Sequence, residues 1–266
     1  MNNVITGLAS TLASSVNDVQ SEIVKTQIDL AAGKRTLNPA ENGVVTRLSA
    51  QSSAYATVVQ NVVAAQNVIN VAQSGMTSIV AIMVQMKNLA VQSSSVGLSD
   101  SDRESIQVTF NNLALQVANL GTSASVNDNN LLDGTTLSVT TDITGNGDPT
   151  TTIGPVDVAT TADTLANLDI STAADAQAAL LSLTDEINTM SSGQASLSAS
   201  SVALEAQGKN AQKLSDGLAK VIDSIQNIDA TKLQAYLQSL NTQQSVDYYL
   251  VSQMNTEAAA VLTIFR

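Results

Sequence analysis

Residues 55–90 read YATVVQNVVAAQNVINVAQSGMTSIVAIMVQMKNLA, and the spacing of apolar residues in this stretch decides the fold. Apolar side chains recur at alternating steps of three and four, and no position in the series is polar. Such a heptad pattern is typical of a helix that packs along another helix, and it predicts one continuous helix roughly 50 Å long. The series consists of Tyr55, Val58, Val62, Ala65, Ile69, Ala72, Met76, Ile79, Met83, Met86 and Ala90.

The residues upstream of this stretch predict where the helix starts. Pro39 suits the first turn of a helix, Asn38 suits the capping position, and Glu41 places a carboxylate near the positive end of the helix. A second helix is predicted after Gly97, with Gly121 as its stop. Its capping residues are Ser99, Asp100, Ser101 and Asp102, and its apolar stripe is Ile106, Phe110, Leu113, Val117 and Leu120.

Helix is predicted again from about Thr172, with an apolar residue at every seventh position and a companion row that is mostly polar or small. A helix with so narrow a stripe is marginally stable alone and needs partners. For the inner helices from Pro39 to Gly121 and from Thr172 to Ile225, packing within one molecule and packing between molecules both remain open. The apolar row is Leu183, Met190, Leu197, Leu204, Ala211, Leu218 and Ile225, and the companion row is Gln194, Ser201, Gly208 and Ser215.

Between the helices, residues 125–171 change character and predict a small β-hairpin. Residues 127–130 have the composition of a turn, and residues 145–149 supply a second turn between two short strands. Turn chemistry accounts better than a calcium site for Asp142 and Asp148 beside the glycines of that second turn. Apolar and Thr side chains at period two mark the first strand at Leu137, Val139, Thr141 and Ile143, and the returning strand carries Ile153, Val156 and Val158, interrupted at Pro155.

The two ends of the chain share one pattern, a narrow apolar stripe without a polar face rich in Lys and Glu. We therefore expect terminal helices that order on contact with other copies of the chain. Gln244 and Asp247 interrupt the C-terminal stripe and are interpreted as solvated, with a register-setting or lumen-facing role as the alternative. The N-terminal stripe is Ile5, Leu8, Leu12, Val16, Val19 and Ile23; the C-terminal one is Leu233, Leu237, Leu240, Val251, Met254, Val261 and Phe265, and Arg266 belongs to the same predicted assembly helix.

Composition excludes several classes of function. The formal charge of -12, with only 11 Lys and Arg, disfavours nucleic acid as a partner. The absence of Cys and His removes the usual catalytic triads and zinc ligands, so we expect no enzyme, cofactor or metal site. No stretch reads as a membrane span. Two Phe, four Tyr and no Trp suit thin helix-on-helix seams, and the predicted fold is mostly α: long helices in a coiled-coil-like bundle with the N- and C-terminal halves paired.

Three stretches of the chain resemble the bacterial flagellin family. The first resembles the turn between the family's first two helices, the second its Leu-Ala-Val-Gln string with the strand entry that follows, and the third its closing segment before a terminal Arg. The first comprises Leu30, Ala31, Ala32, Gly33, Lys34, Arg35, Asn38, Ala40, Glu41 and Asn42. The second comprises Leu89, Ala90, Val91, Gln92, Ser93 and Ser94, then Asn129, Asn130, Leu131, Leu132, Asp133 and Gly134. The third comprises Asn255 and Val261, Leu262, Thr263, Ile264, Phe265 and Arg266.

This resemblance implies a minimal flagellin, a structural subunit without large outer domains that polymerises into the extracellular flagellar filament for motility. It implies segments 1–33 and 227–266 as filament-core helices, 34–125 and 172–226 as the inner helical domain, and 126–171 as a hairpin and small outer excursion. It also implies export unfolded through the flagellar type III channel. The implied partners are copies of the chain, an export chaperone, the filament cap and the hook-filament junction protein.

The resemblance also bears on immune recognition. Receptors read a family surface that matches Gln85, Lys87, Asn88 and Leu89, and Gln85 and Asn88 stand where many activating flagellins carry Arg and Glu. Loss of those charge-assisted contacts predicts a poor activator. Two alternative functions stay open: the hook-filament junction protein, and a surface flagellin homologue that binds polysaccharide, which four Tyr and no Trp disfavour.

Overall fold

The computed structural model describes residues 2–143 and 149–264; for residues 2–6, 258 and 261–264 it describes the backbone alone. The predicted turn residues Gly145, Gly147 and Asp148 lie outside the described residues, as do Phe265 and Arg266. The side chains of Ile5 and Val261 also lie outside the description.

The fold is mostly α-helical with one two-stranded antiparallel sheet, as the sequence predicts. Two compact units are present, a terminal unit of residues 1–50 and 217–266 and a middle unit of residues 51–216. In chain order the elements are α1 (Asn2–Ala32), α2 (Pro39–Ser93), α3 (Asp100–Ser123), β1 (Leu137–Thr140), β2 (Thr150–Ile153), α4 (Val158–Ala166), α5 (Ala173–Gln226) and α6 (Ala230–Ile264).

Within the middle unit, α2 and α5 run antiparallel along the predicted seam. Three cross-helix hydrogen bonds fix the register, and ten of the eleven predicted seam residues on α2 are buried, all except the half-buried Tyr55. The inner heptads therefore pack within one molecule. The bonds are Ser52 with Ser215 through their hydroxyl oxygens at 3.1 Å, Gln194 to Thr77 at 3.3 Å, and Lys87 to Thr184 at 2.9 Å.

The companion row of α5 contains small residues because α2 approaches closely there. A methyl group built on Gly208 would lie 3.0 Å from a Val62 methyl of α2, and one on Gly193, which is next to this row, would lie 3.0 Å from the Met76 methyl of α2. Gly208 is itself buried, whereas Gln194, Ser201 and Ser215 are half-buried. The mixed row is thus a packing surface of the middle unit in which side-chain size is limited.

Helix α3 begins as predicted and ends later than predicted. The hydroxyl of Ser99 accepts a hydrogen bond from the backbone N–H of Asp102 at 3.2 Å, and Phe110 and Val117 are buried. Gly121 was expected to stop the helix, which instead continues to Ser123. Gly121 is buried within the helix, and a Cβ added there would lie 2.7 Å from a Val158 methyl, so close packing against Val158 accounts for the glycine.

The β-hairpin forms with Leu137 paired to Ile153 and Thr140 to Thr150. The first strand is shorter than predicted, and the predicted continuation of the second through Val156 and Val158 is wrong. Val158 instead starts α4, a helix that the sequence analysis missed. Asp157 caps α4 by accepting from the N–H of Thr160 at 3.1 Å, and hydrogen bonds from the Thr160 hydroxyl and N–H lower the pKa of Asp157.

The expectation that no stretch would approach a membrane span is not met by the length and hydropathy of α2. Its most apolar window has a mean hydropathy of 1.4, which is enough to cross a bilayer by length and composition. A third of that window is buried within the molecule, and a helix in the core of a folded protein passes the same test of length and composition.

Candidate functional site

The terminal unit is built on α1 and α6, the two ends of the chain, which pack against each other. Three apolar residues, Val19, Ile23 and Leu240, form its buried cluster, with Leu237 packed on the edge. All four belong to the predicted stripes. A cluster of this size buries little apolar surface, so the pair gains little hydrophobic stabilisation of its own.

Asp247 is buried in this helix pair, which corrects its interpretation as a solvated position. Only 7% of the residue is exposed, and its carboxylate accepts a hydrogen bond from the hydroxyl of Ser15 at 3.0 Å. Burying a carboxylate is costly unless it is hydrogen-bonded, and Ser15 supplies that bond across the two helices. The pair therefore helps to fix the register of α1 against α6. Gln244, one turn earlier, is half-buried.

The turn between α1 and α2 is tied to the turn between α5 and α6. Gly33 follows the last residue of α1 with φ of 65°, a left-handed conformation that ends helices and suits glycine. The N–H of Arg35 donates to the carbonyl of Gln226 at 2.8 Å. Behind the turn, the buried carboxylate of Asp29 accepts from the N–H of Thr36 at 2.7 Å and from the Thr36 hydroxyl.

The start of α2 confirms the predicted capping residues. The side chain of Asn38 accepts from the N–H of Glu41 at 2.8 Å, and the Glu41 carboxylate accepts from the N–H of Asn38 at 3.1 Å, a reciprocal capping box. Arg35 adds an ion pair with Glu41 at 2.7 Å. The hydrogen bond from the Asn38 backbone, followed by that from Arg35, lowers the pKa of Glu41.

A cleft of about 630 Å³ lies where these two turns meet, with Lys25, Asp29, Arg35, Asp229 and Lys232 among its lining residues. Its carboxylates already have partners, including Asp229, whose pKa is lowered chiefly by the backbone N–H of Lys232. In the part of the chain that the structure describes, no group of three or more His, Cys, Asp or Glu side chains could hold a metal ion.

The outer surfaces of α1 and α6 carry exposed apolar residues at helical spacing. On α1, Val24 and Ile28 lie one turn apart, and on α6 so do Val246 and Leu250, with Tyr249 beside them. Sequence reasoning missed these five residues because it followed a single stripe on each helix. Exposed apolar patches of this kind mark interaction surfaces.

The predicted assembly residues divide between the inside and the outside of the helix pair. Leu8 is exposed, and Val19, Ile23 and Leu240 are buried. Leu8 and Leu12 line a shallow depression with Leu250 and Met254. The other described members, Leu12, Val16, Leu233, Leu237, Val251 and Met254, are half-buried.

Charge separates the two units. The terminal unit carries 8 Asp and Glu against 7 Lys and Arg, whereas the middle unit carries 15 against 4. Almost all of the net charge of -12 therefore belongs to the middle unit. Copies can approach each other through the terminal unit with little like-charge repulsion.

The residues that match the immune-receptor surface lie on α2 in the middle unit. Gln85 and Asn88 are exposed, Leu89 is half-buried, and the Lys87 ammonium donates to Thr184 at 2.9 Å. The Lys87 side chain therefore already has a hydrogen-bond partner on α5 of the same molecule.

Residues 5–136 match the bacterial flagellin N-terminal helical region. Flagellin FljO of Caulobacter vibrioides is 26% identical over all of this chain and 99% of its own length, and flagellin FljK of the same organism is 25% identical with the same coverage. A flagellin of Halalkalibacterium halodurans is 24% identical over 75% of this chain and 74% of its own. The crystal structure of Bacillus cereus flagellin has the same fold, with a TM-score of 0.51 and 19% identity over 57% of this chain and 88% of that one.

Proposed function

The chain belongs to the flagellin family of structural subunits of the extracellular flagellar filament, and we propose that copies of the chain polymerise through its terminal unit. The observation that carries this proposal is a set of exposed apolar residues, Val24 and Ile28 on α1 and Val246, Tyr249 and Leu250 on α6, which we together call the outer face, in a unit that is close to electroneutral.

The physical reason is that the terminal unit is incomplete alone. Ordering a helix costs about 1 to 2 kcal/mol of backbone entropy per residue, which a buried cluster of three apolar residues offsets only in part. Neighbouring copies that cover the outer face add the missing apolar burial. A contact that joins different surfaces of successive copies, through a symmetry operation that does not close, produces an open helical array.

The same weakness fits export of an unfolded chain through the flagellar type III channel. Terminal helices with so small a core unfold at low cost and refold when neighbours cover them. An export chaperone would cover their apolar residues before assembly, and the filament cap and hook-filament junction protein would meet them at the growing and basal ends. In this scheme segments 1–33 and 227–266 line the filament core, 34–125 and 172–226 form the inner helical domain, and 126–171 is the small outer part.

Similarity along the full length to proteins named flagellin supports the filament role over the junction role. A structural role also supports the absence of enzyme activity. The Gln85 to Leu89 surface is proposed to be a poor receptor ligand, since Gln85 and Asn88 are uncharged. Full potency in a receptor reporter assay would contradict that proposal.

Seeded growth followed by negative-stain electron microscopy tests the polymerisation surface. The double variant Ile28→Asp, Leu250→Asp places two charges on the outer face, and Leu115→Asp is the control because Leu115 is equally helical and 61% exposed, but lies on α3 of the middle unit. We expect long filaments from the wild type and the control and none from the double variant. Filaments from the double variant at the wild-type rate would overturn the proposal.

A further inference from the structure

The methionines of this chain are divided unequally between protected and accessible positions. The sequence contains six Met and no Cys, so Met supplies the only sulfur atoms that an oxidant can attack. Four of the six lie on α2 and α5 in the core of the middle unit and have no exposed surface: Met76, Met83, Met86 and Met190. Because oxidation of a side chain depends on its exposure, the packing of the middle unit protects these four.

Met254 lies in a different environment. It belongs to α6 in the terminal unit and is half-buried, and among the described residues it is the one methionine that reaches the surface. Met1 lies outside the described residues. Met254 lines a depression of about 210 Å³ together with Leu8 and Leu12 of α1 and Leu250 of α6. The accessible thioether of the described chain therefore lies on an apolar surface of the terminal unit.

Met254 also continues the outer face along α6. It follows Leu250 by four residues, as Leu250 follows Val246, so the three side chains lie one turn apart on the same side of the helix. Val246 and Leu250 are exposed members of the outer face. A chemical change at Met254 therefore alters the surface at which, in the proposed function, copies of the chain meet.

Oxidation would change the polarity of that surface. Hydrogen peroxide transfers one oxygen atom to the Met254 sulfur: the O–O bond breaks, an S–O bond forms, the sulfur is oxidised by two electrons, and the second oxygen leaves with both protons as water. The sulfoxide is polar and chiral. The three leucines of the depression offer it no hydrogen-bond donor, and the side-chain amide of Gln253 already donates to Tyr249 at 3.0 Å. Covering the sulfoxide with apolar side chains is therefore unfavourable.

We propose that Met254 is a site of reversible oxidation by peroxides, and that its sulfoxide weakens the polymerisation of free subunits. The inference rests on the proposed function, because it needs the outer face to be a contact between copies. Methionine sulfoxide reductases convert the sulfoxide back to methionine, so the change can be reversed. The middle unit keeps its structure in both states, since its four methionines are buried.

Peptide mapping by mass spectrometry tests the site itself. The monomer is treated with hydrogen peroxide, and the oxygen gained by each methionine is followed with time. We expect Met254 to be oxidised about tenfold faster than the four buried methionines, and we expect this difference to disappear in urea, where the chain is unfolded. Oxidation of Met254 in the folded monomer at the rate of the buried methionines would overturn the proposal.

Seeded growth measures the consequence for polymerisation. Peroxide treatment should raise the critical concentration of the wild type about tenfold, and reduction by methionine sulfoxide reductases A and B with a dithiol should restore it. The matched control is Met254→Leu, which keeps an apolar side chain and every other methionine, and its critical concentration should not change on treatment. As a second variant, Met254→Gln imitates the polarity of the sulfoxide and should raise the critical concentration without peroxide.

The outcomes separate this inference from the proposed function. An untreated wild-type chain that forms no filaments on seeds would overturn the proposed function. Normal growth of the untreated chain, together with an unchanged critical concentration after Met254 is oxidised, would overturn the role of Met254 alone. An equal loss of growth in the treated Met254→Leu variant would also overturn that role, because another residue would then cause the loss. Growth of the Met254→Gln variant at the wild-type critical concentration would contradict the effect of polarity at this site.

Discussion

The two units of this chain use long helices in different ways, and their helical glycines show the difference. In the middle unit an added Cβ on Gly75, Gly121, Gly193 or Gly208 would meet a neighbouring side chain at 2.7 to 3.1 Å. In the terminal unit an added Cβ on Gly7, Gly43 or Gly217 would meet nothing within 4 Å. At these glycines the helices of the middle unit leave no room for an added methyl group, whereas the helices of the terminal unit do.

The two units also differ in the number of buried apolar residues in their cores. The core cluster of the middle unit contains 31 buried apolar residues among those described, and that of the terminal unit contains three. The middle unit therefore has a large core of its own, whereas the core of the terminal unit is small, which is consistent with the proposal that other copies cover its helices.

Removing residues 1–30 should abolish filament growth and leave the stability of the middle unit unchanged. The shortened chain loses α1, against which α6 packs, so we expect no filament growth on seeds at any salt concentration. The middle unit should keep its thermal unfolding transition, because residues 51–216 are untouched. Electron microscopy and circular dichroism measure the two properties. Polymerisation of this shortened chain, and of a chain lacking residues 237–266, would show that assembly does not depend on the terminal helices.

The same substitution should have different effects in the two cores. Leu197→Ala in the middle unit removes a fully buried side chain and should lower the free energy of unfolding by about 2 to 5 kcal/mol, as measured by urea denaturation. Leu240→Ala, in the cluster of three, should cost the monomer about 2 kcal/mol or less, since so small a cluster relaxes easily. Its main effect should be slower filament growth. Equal losses of monomer stability would contradict the contrast.

A glycine pair on α5 sharpens the comparison. Gly193→Ala would push a methyl group against Val156 and should destabilise the middle unit by about 1 to 3 kcal/mol. Gly217→Ala on the same helix has open space and should stabilise the helix by about 0.5 to 1 kcal/mol. Differential scanning calorimetry of both variants gives the comparison. A stabilising Gly193→Ala would mean that the middle unit is less tightly packed than its distances indicate.

The smallest expected effect is at the start of α2. The lowered pKa of Glu41 means that its ionised form stabilises the folded turn. This stabilisation is present above the ordinary pKa of a glutamate and disappears as the pH falls through the lowered value. Glu41→Gln should therefore lower the melting temperature at pH 7 and have no effect once wild-type Glu41 is protonated. Glu205→Gln, which removes an exposed ion pair with Lys209, should have a smaller effect at pH 7.

Much of the fold follows from the sequence because heptad periodicity reports burial directly. The stripe from Val58 to Ala90 is buried as predicted, and Asn38, Glu41 and Ser99 cap their helices as predicted. Helix α4 was missed because its nine residues are too few for a periodic signal, and because Val156 and Val158 also fit a strand. Gly121 was misread because a glycine in close packing and a glycine at a helix end look alike in sequence.

The candidate site was less predictable than the fold. The stripes include Val19, Ile23 and Leu240, which the structure buries between α1 and α6 of one molecule, whereas the exposed residues Ile28 and Leu250 lie off those stripes. Asp247 was assigned to solvent because its partner Ser15 lies 232 positions away in the chain. A pairing between the two ends of a chain leaves no trace in local periodicity.

Hydrogen exchange of backbone amides, measured by mass spectrometry on monomer and on filament, tests the central claim most directly. In the monomer, α1 and α6 should exchange much faster than the middle-unit parts of α2 and α5, because so few buried side chains hold the terminal helices. In the filament, α1 and α6 should become as strongly protected as the middle unit, whose own protection changes little. Terminal helices that are already fully protected in the monomer, with no further gain in the filament, would contradict the account.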